Sequence, residues 1–327
     1  MSEPASKRAA DQPRAERAPG PLTSFEGQKP TAPEWFNRVL AQSPQRLWPS
    51  VADVRIETLV WGCEGAPGLL LLHGNGAHAD WWSFIAPFLA QDFRVVAMSW
   101  SGMGGSDWRS AYSVDLYIEE ALAAASAGGL FASAVKPVVV GHSFGGFPTI
   151  ALAARHGREL RSVVLLDTPL WSPEQRADRK SMRDPSRERR PHRIYPTLVD
   201  ALARFRLAPE QPCEHLYIVD YIARQSIREV TPDSANPNGG FTWRFDPFLW
   251  NHYEQSDASA DLRGAQCPVA VIWGAQSQLM PTRVIDYMRS LAAAGTAFVE
   301  IPEANHHVML DQPLATVAVL HGLLARG

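Results

Sequence analysis

The stretch Gly141-His142-Ser143-Phe144-Gly145-Gly146 follows the apolar run Pro137-Val138-Val139-Val140. A serine with glycines two residues to either side, between a buried strand and a helix, has the spacing of a nucleophile. The turn that presents it is so tight that side chains at the glycine positions would collide. Such a turn lifts the Ser143 hydroxyl over the sheet edge, at a helix N-terminus whose amides favour developing negative charge. A second glycine loop, His73-Gly74-Asn75-Gly76, follows Leu69-Leu70-Leu71-Leu72. The backbone amides of Asn75 and Phe144 can face one space and donate to a tetrahedral oxyanion. His306, in the loop after a final strand ending at Ile301, is placed to take a proton from a hydroxyl. Together these residue types point to acyl transfer.

Positioning such groups requires a parallel sheet covered on both faces, and the chain alternates accordingly between short apolar runs and helical runs. Strands are predicted at Val54–Trp61, Gly68–Leu72, Phe93–Ser99, Pro137–Val140, Leu160–Leu166, Val269–Trp273 and Ala297–Ile301. Helices are predicted at Ala79–Ala90, Val114–Ala127, Gly145–His156, Thr282–Ala293 and Pro313–Ala325. The alternation lapses between about Pro169 and Leu262, where helical spacing recurs without strong strands, for instance at Leu198, Ala201, Leu202 and Phe205. The fold class is therefore α/β, a mostly parallel sheet with helices on both faces and an inserted α-helical cap. Residues 1–49 read as a proline-rich extension, largely disordered apart from a short helix near Ala32 to Gln42. Residues 50–168 and 264–327 form the two parts of the core, and residues 169–263 the cap.

Composition narrows the partners. With 31 Lys+Arg against 34 Asp+Glu and a net charge of −3, nothing favours nucleic acid or an anionic membrane. No apolar run approaches the roughly 18 residues of a membrane span. No apolar signal segment follows the charged N-terminus. Three cysteines, Cys63, Cys213 and Cys267, lie far apart without metal-ligand spacing. A cytoplasmic protein acting on a small molecule is expected, with no cofactor. The neighbouring His306 and His307 lack the carboxylate or cysteine company of a metal site, so no metal is expected either.

Four segments in order resemble the α/β-hydrolase fold superfamily, specifically serine hydrolases with an inserted cap. They are His73–Gly76, Ser99–Asp107 (SWSGMGGSD), Gly141–Gly146 (GHSFGG) and Asn305–Pro313 (NHHVMLDQP). The resemblance covers roughly residues 50 to 327. It implies Ser143 as nucleophile, His306 as general base and the amides of Asn75 and Phe144 as oxyanion hole. A serine in place of an aspartate nucleophile speaks against dehalogenase and epoxide hydrolase chemistry.

The departure from the family concerns the acid. Its usual W-G-x-x-D loop here reads Trp273-Gly274-Ala275-Gln276-Ser277, and a serine carries no charge to hold the imidazole. Asp167, closing Val163-Val164-Leu165-Leu166, is the substitute, since some relatives place the acid one strand after the nucleophile. A Ser/His dyad is the competing reading. Ester hydrolysis of a small to medium, largely apolar substrate is the default. Carbon–carbon or lactone hydrolysis uses the same residues, and a weakly catalytic ligand-binding protein is a further alternative. Among the aromatics, Trp82 and Trp171 are expected to touch substrate.

Overall fold

Runs such as Leu69–Leu72 and Val138–Val140 carry no polar side chain, so they are stable only with both sheet faces covered. The computed structural model of the chain describes residues 19–181, 189–234 and 236–325. In it these runs lie at the centre of an eight-stranded sheet. Its strands are β1 (Gln45–Leu47), β2 (Thr58–Trp61), β3 (Gly68–Leu72), β4 (Arg94–Met98), β5 (Val138–His142), β6 (Ser162–Leu166), β7 (Val269–Gly274) and β8 (Ala297–Ile301). Their spatial order is β1-β2-β4-β3-β5-β6-β7-β8. The first two pairings are antiparallel and the rest parallel. β5 is thus flanked on both sides, with Leu72 opposite Gly141 and Leu166 opposite His142. The ligand crevice of such a sheet lies outside the carboxyl ends of its strands.

Helices α1 (Glu34–Leu40), α2 (Val114–Ala127), α3 (Gly146–His156), α4 (Leu198–Leu202), α5 (Leu216–Gln225), α6 (Thr282–Leu291) and α7 (Pro313–Leu324) complete the framework. The start of α2 coincides with its sequence expectation because Ser113 caps it, its hydroxyl accepting from the Leu116 amide at 3.1 Å. One long helix over Ala79–Ala90 does not form. A 3-10 turn at Ala79–Trp82 and a short helix at Ala86–Leu89 stand there instead. The bulky Trp81-Trp82 pair and Pro87 offset the helical spacing of the segment. The expected strand Val54–Trp61 is also divided, into Val54–Arg55 and Thr58–Trp61.

The N-terminal segment departs most from expectation. Residues 1–18, read as part of a disordered tail, lie outside the described residues, but residues 19–49 are ordered against the domain. Leu22, Phe36 and Val39 are buried, and β1 adds an edge strand to the sheet. Phe36 meets Tyr217 of α5 edge-on at 4.9 Å, and Arg224 of the same helix donates to the Gly27 carbonyl at 2.7 Å. Proline-rich composition masked this, because three or four large apolar side chains suffice to fasten a strap; burying Phe36 alone is worth about 1.5–3 kcal/mol.

The cap, expected as helical, also contains an antiparallel pair of strands, Ile227–Val230 with Gly240–Trp243. The β-branched and aromatic residues of these strands are separated by Pro232, Pro237 and two glycines, which conceals the pairing in a search for long apolar runs. Helix Ala258–Arg263, assigned to the cap in the sequence reading, packs instead with the core, Ala258 and Leu262 beside Ile150 and Val271. Cap and core are continuous, since Phe205, Leu207, Ile218 and Ile222 share one buried cluster with Leu71, Trp81 and Val140. The sequence between Arg176 and Arg193 is dense in arginine, and part of it lies outside the described residues. Among the described residues no helix is long and apolar enough to cross a membrane.

Candidate active site

β5 ends at His142, and Ser143 then adopts φ 51°, a left-handed conformation costly for a residue with a Cβ. The neighbouring glycines make the turn possible. A Cβ on Gly141 would stand 2.2 Å from Thr149 Oγ1 and 2.6 Å from the Gly145 carbonyl oxygen; one on Gly145 would stand 2.5 Å from the His73 carbonyl oxygen. The turn feeds directly into α3 and leaves Ser143 partly exposed at the helix entrance.

His306 arrives from the far side of the sheet, in the loop between β8 and helix Val308–Asp311. The loop is fixed by Asp311, whose carboxylate accepts from the Asn305 amide at 2.7 Å and from the Gln211 side chain at 2.9 and 3.0 Å. Burial pushes the Asp311 carboxyl above its ordinary range, partly opposed by these donors. The His306 ring is buried, with Nε2 2.8 Å from Ser143 Oγ and Nδ1 2.7 Å from Asp167 Oδ1.

Asp167 follows β6 and is itself left-handed, at φ 49°, a conformation that aspartate tolerates better than most residues. Its side chain is fully buried, so each oxygen needs donors. Oδ2 accepts from the Gly274 amide at 3.0 Å, and Oδ1 accepts from the Ser277 hydroxyl at 2.7 Å as well as facing His306. The residue occupying the family's usual acid position thus donates to the carboxylate that faces the histidine. An unbroken hydrogen-bonded chain runs from Ser143 through His306 and Asp167 to Ser277.

The other glycine loop is anchored beneath the site. His73 Nδ1 faces the Gly74 carbonyl at 2.7 Å, and its Nε2 accepts from the Trp100 amide at 3.1 Å, which fixes a neutral ring with the proton on Nδ1. Full burial lowers this histidine to about 3. The loop brings Gly74 alongside Ser143, since a Cβ built on Gly74 would lie 3.2 Å from Ser143 Cβ. Asn75 is exposed, its Oδ1 accepting from Trp250 Nε1 at 3.1 Å. Phe144 is buried edge-on against Trp250 and Tyr253, at 5.2 and 5.5 Å.

A cavity of about 360 Å³ opens on Ser143, between core residues Gly74, Asn75 and Trp81 and cap residues Tyr195, Phe205 and Trp243. Neither tryptophan expected at substrate lines it. Trp82 is wholly buried in the main core, and Trp171 packs against the cluster around Trp273 and Met280. Adjacent residues of the 3-10 turn Ala79–Trp82 point about 120° apart, so Trp81 reaches the cavity while Trp82 faces the interior. Phe205 had been legible only as a helical-face residue, and Tyr195, outside any predicted element, carried no signal. His142 and His307, absent from the sequence-level site, both line the cavity wall.

Comparison with known proteins agrees with this architecture. Residues 69–319 match the model of the alpha/beta hydrolase family. A serine hydrolase-like protein of Danio rerio is 26% identical over 288 residues, covering 81% of this chain and 83% of its own. An esterase of Mycobacterium tuberculosis is 25% identical over 285 residues, 82% of this chain and 86% of its own. Among solved structures, E-2-(acetamidomethylene)succinate hydrolase superposes with a TM-score of 0.68 at 18% identity, over 86% of this chain and 99% of that one. By the extent of that family match, together with the sheet order and the hydrogen-bonded serine, histidine and aspartate, the chain belongs to the alpha/beta hydrolase family.

Proposed function

We propose that the protein is a serine hydrolase that cleaves carboxylic esters of small to medium, largely apolar acyl or aryl groups. The observation that carries this reading is the contact chain from Ser143 Oγ through His306 to Asp167, opening on an aromatic cavity. Ser143 attacks the ester carbonyl while His306 Nε2 takes its proton, and the tetrahedral oxyanion receives the amides of Asn75 and Phe144. His306 then returns the proton to the departing alcohol, leaving an acyl-enzyme on Ser143. Water attacks that ester with His306 again as base, and His306 returns the proton to Ser143 Oγ as the acid leaves. Asp167 holds the Nδ1 proton of His306 and stabilises the imidazolium formed in each half. No cofactor enters these steps. Esterase and serine hydrolase names among the relatives support the class, and three free cysteines fit a reducing, cytoplasmic setting.

The test is a panel of aryl esters of increasing acyl length, with lactones and diketones alongside, run on wild type and Ser143→Ala, plus fluorophosphonate labelling. Expected are ester turnover, labelling at Ser143, and a loss of roughly 10⁴-fold or more in kcat on substitution. Turnover confined to diketones would reassign the reaction to carbon–carbon hydrolysis. Neither labelling nor release would mark a ligand-binding protein.

A further inference from the structure

His142 and His307, on the cavity wall, meet His306 behind Ser143. One ring nitrogen each of His142, His306 and His307 lies within 4.8 Å of the other two, and all three side chains are buried. Ring centroids are separated by 5.1 Å (His142 to His306), 5.6 Å (His142 to His307) and 4.9 Å (His306 to His307).

The hydrogen bonds determine where the lone pairs are. His142 Nε2 faces the His306 carbonyl at 3.1 Å, which can only accept, so Nε2 carries the proton and Nδ1 is left with a lone pair. That Nδ1 makes no hydrogen bond despite complete burial. His306 Nδ1 is committed to Asp167, so its lone pair is on Nε2, shared only with the Ser143 hydroxyl. Neither nitrogen of His307 is in hydrogen-bond geometry, although the nearby Pro209 carbonyl slightly favours its protonated form. Buried imidazole nitrogens left without partners are costly, and a bound cation would satisfy them. A neutral imidazole is the form that coordinates a metal.

We propose that His142, His306 and His307 form a binding site for a divalent transition-metal ion of the Zn²⁺ or Cu²⁺ class, and that its occupation turns the hydrolase off. Three neutral imidazoles suit these ions and not Mg²⁺ or Ca²⁺. Zinc–nitrogen bonds of about 2.0–2.1 Å place tetrahedral ligands roughly 3.3 Å apart, so the rings draw inward on binding. A coordinate bond to His306 Nε2 consumes the lone pair that accepts the Ser143 proton, so attack stops until a chelator removes the ion. The sequence shows only the adjacent His306 and His307, in the loop after β8; the fold adds His142 as third ligand from the end of β5.

The inhibitory half rests on His306 being the base, whereas the binding half does not. The experiment therefore measures both on metal-free full chain. Isothermal titration with Zn²⁺ should show one equivalent bound by wild type and by Ser143→Ala, with affinity at least tenfold weaker in His142→Gln and His307→Gln. Ester hydrolysis should fall at least tenfold with one equivalent of Zn²⁺ and return on adding EDTA, each protein compared with its own metal-free rate. Should the variants be unfolded by circular dichroism, Co²⁺ titration of wild type decides: intense visible bands of a four-coordinate site are expected, and only weak octahedral bands overturn the proposal. Equal affinity in the folded variants, or hydrolysis without Zn²⁺ binding, also overturns it and leaves the hydrolase reading intact. Histidine-dependent binding in a chain that hydrolyses nothing leaves the site standing and removes the function. Binding without loss of hydrolysis overturns the switch.

Discussion

Asp167 accepts three donors at once, from His306, Ser277 and Gly274, in an environment closed to water. An amide at this position keeps the shape and the left-handed backbone but presents the wrong charge and an extra donor to His306. Asp167→Asn is therefore expected to lower kcat for an ester by about 10³–10⁴-fold with little change in KM, read from steady-state kinetics. Ser277 Oγ stands 2.7 Å from the carboxylate, so a carboxylate grown from position 277 reaches the same histidine. The double variant Asp167→Asn, Ser277→Asp should regain at least tenfold over the single variant. No gain would show that the backbone at 277 cannot deliver the charge, and a full rate in Asp167→Asn would remove Asp167 from the mechanism. The usual acid position being serine was visible in the sequence. That this serine donates to the substitute was not, because residues 167 and 277 come together only through the pairing of β6 with β7.

At the scale of elements, the turn between β5 and α3 depends on backbone passing within side-chain distance of backbone. Gly145→Ala would force a methyl to 2.5 Å from the His73 carbonyl and 2.8 Å from that of Leu72, displacing the other glycine loop. Activity should be lost even where circular dichroism reports a folded chain, and near wild-type turnover would contradict the crowding. The N-terminal strap is a second element whose worth can be measured. Phe36 is buried between Phe84 of the core and Tyr217 and Tyr221 of α5. Phe36→Ala is expected to cost about 3–5 kcal/mol in urea unfolding, the usual range for an aromatic core truncation. The helix containing Phe36 was legible from apolar spacing. Its docking on the cap was not, since spacing says which face is apolar and not what that face meets.

Across the whole molecule, several histidines are buried in the neutral state, and this makes stability depend on pH. Complete burial, with a small further push from His78, holds His73 at about 3 against an ordinary 6.5. Between those values the unfolded chain binds a proton that the folded chain refuses, so stability falls as pH falls from about 6.5 toward 3. The slope from this group approaches about 1.4 kcal/mol per pH unit. Burial lowers His78 as well, opposed by Asp80 and Glu57, and adds to the same trend. Urea midpoints at about pH 7.5 and about pH 5 should differ accordingly, and coincident midpoints would contradict neutral burial. What the amino-acid order determined alone was everything carried by local rules: apolar runs that must be covered strands, glycines that allow the turn at Ser143, and the order of the segments carrying Ser143, Asp167 and His306. Tertiary structure alone decided which of two adjacent tryptophans faces the cavity, that the proline-rich lead-in clasps the cap, and that His142 joins His306 and His307. Those outcomes depend on contacts between residues far apart in the chain, and local sequence fixes the direction of a side chain without fixing what stands opposite it.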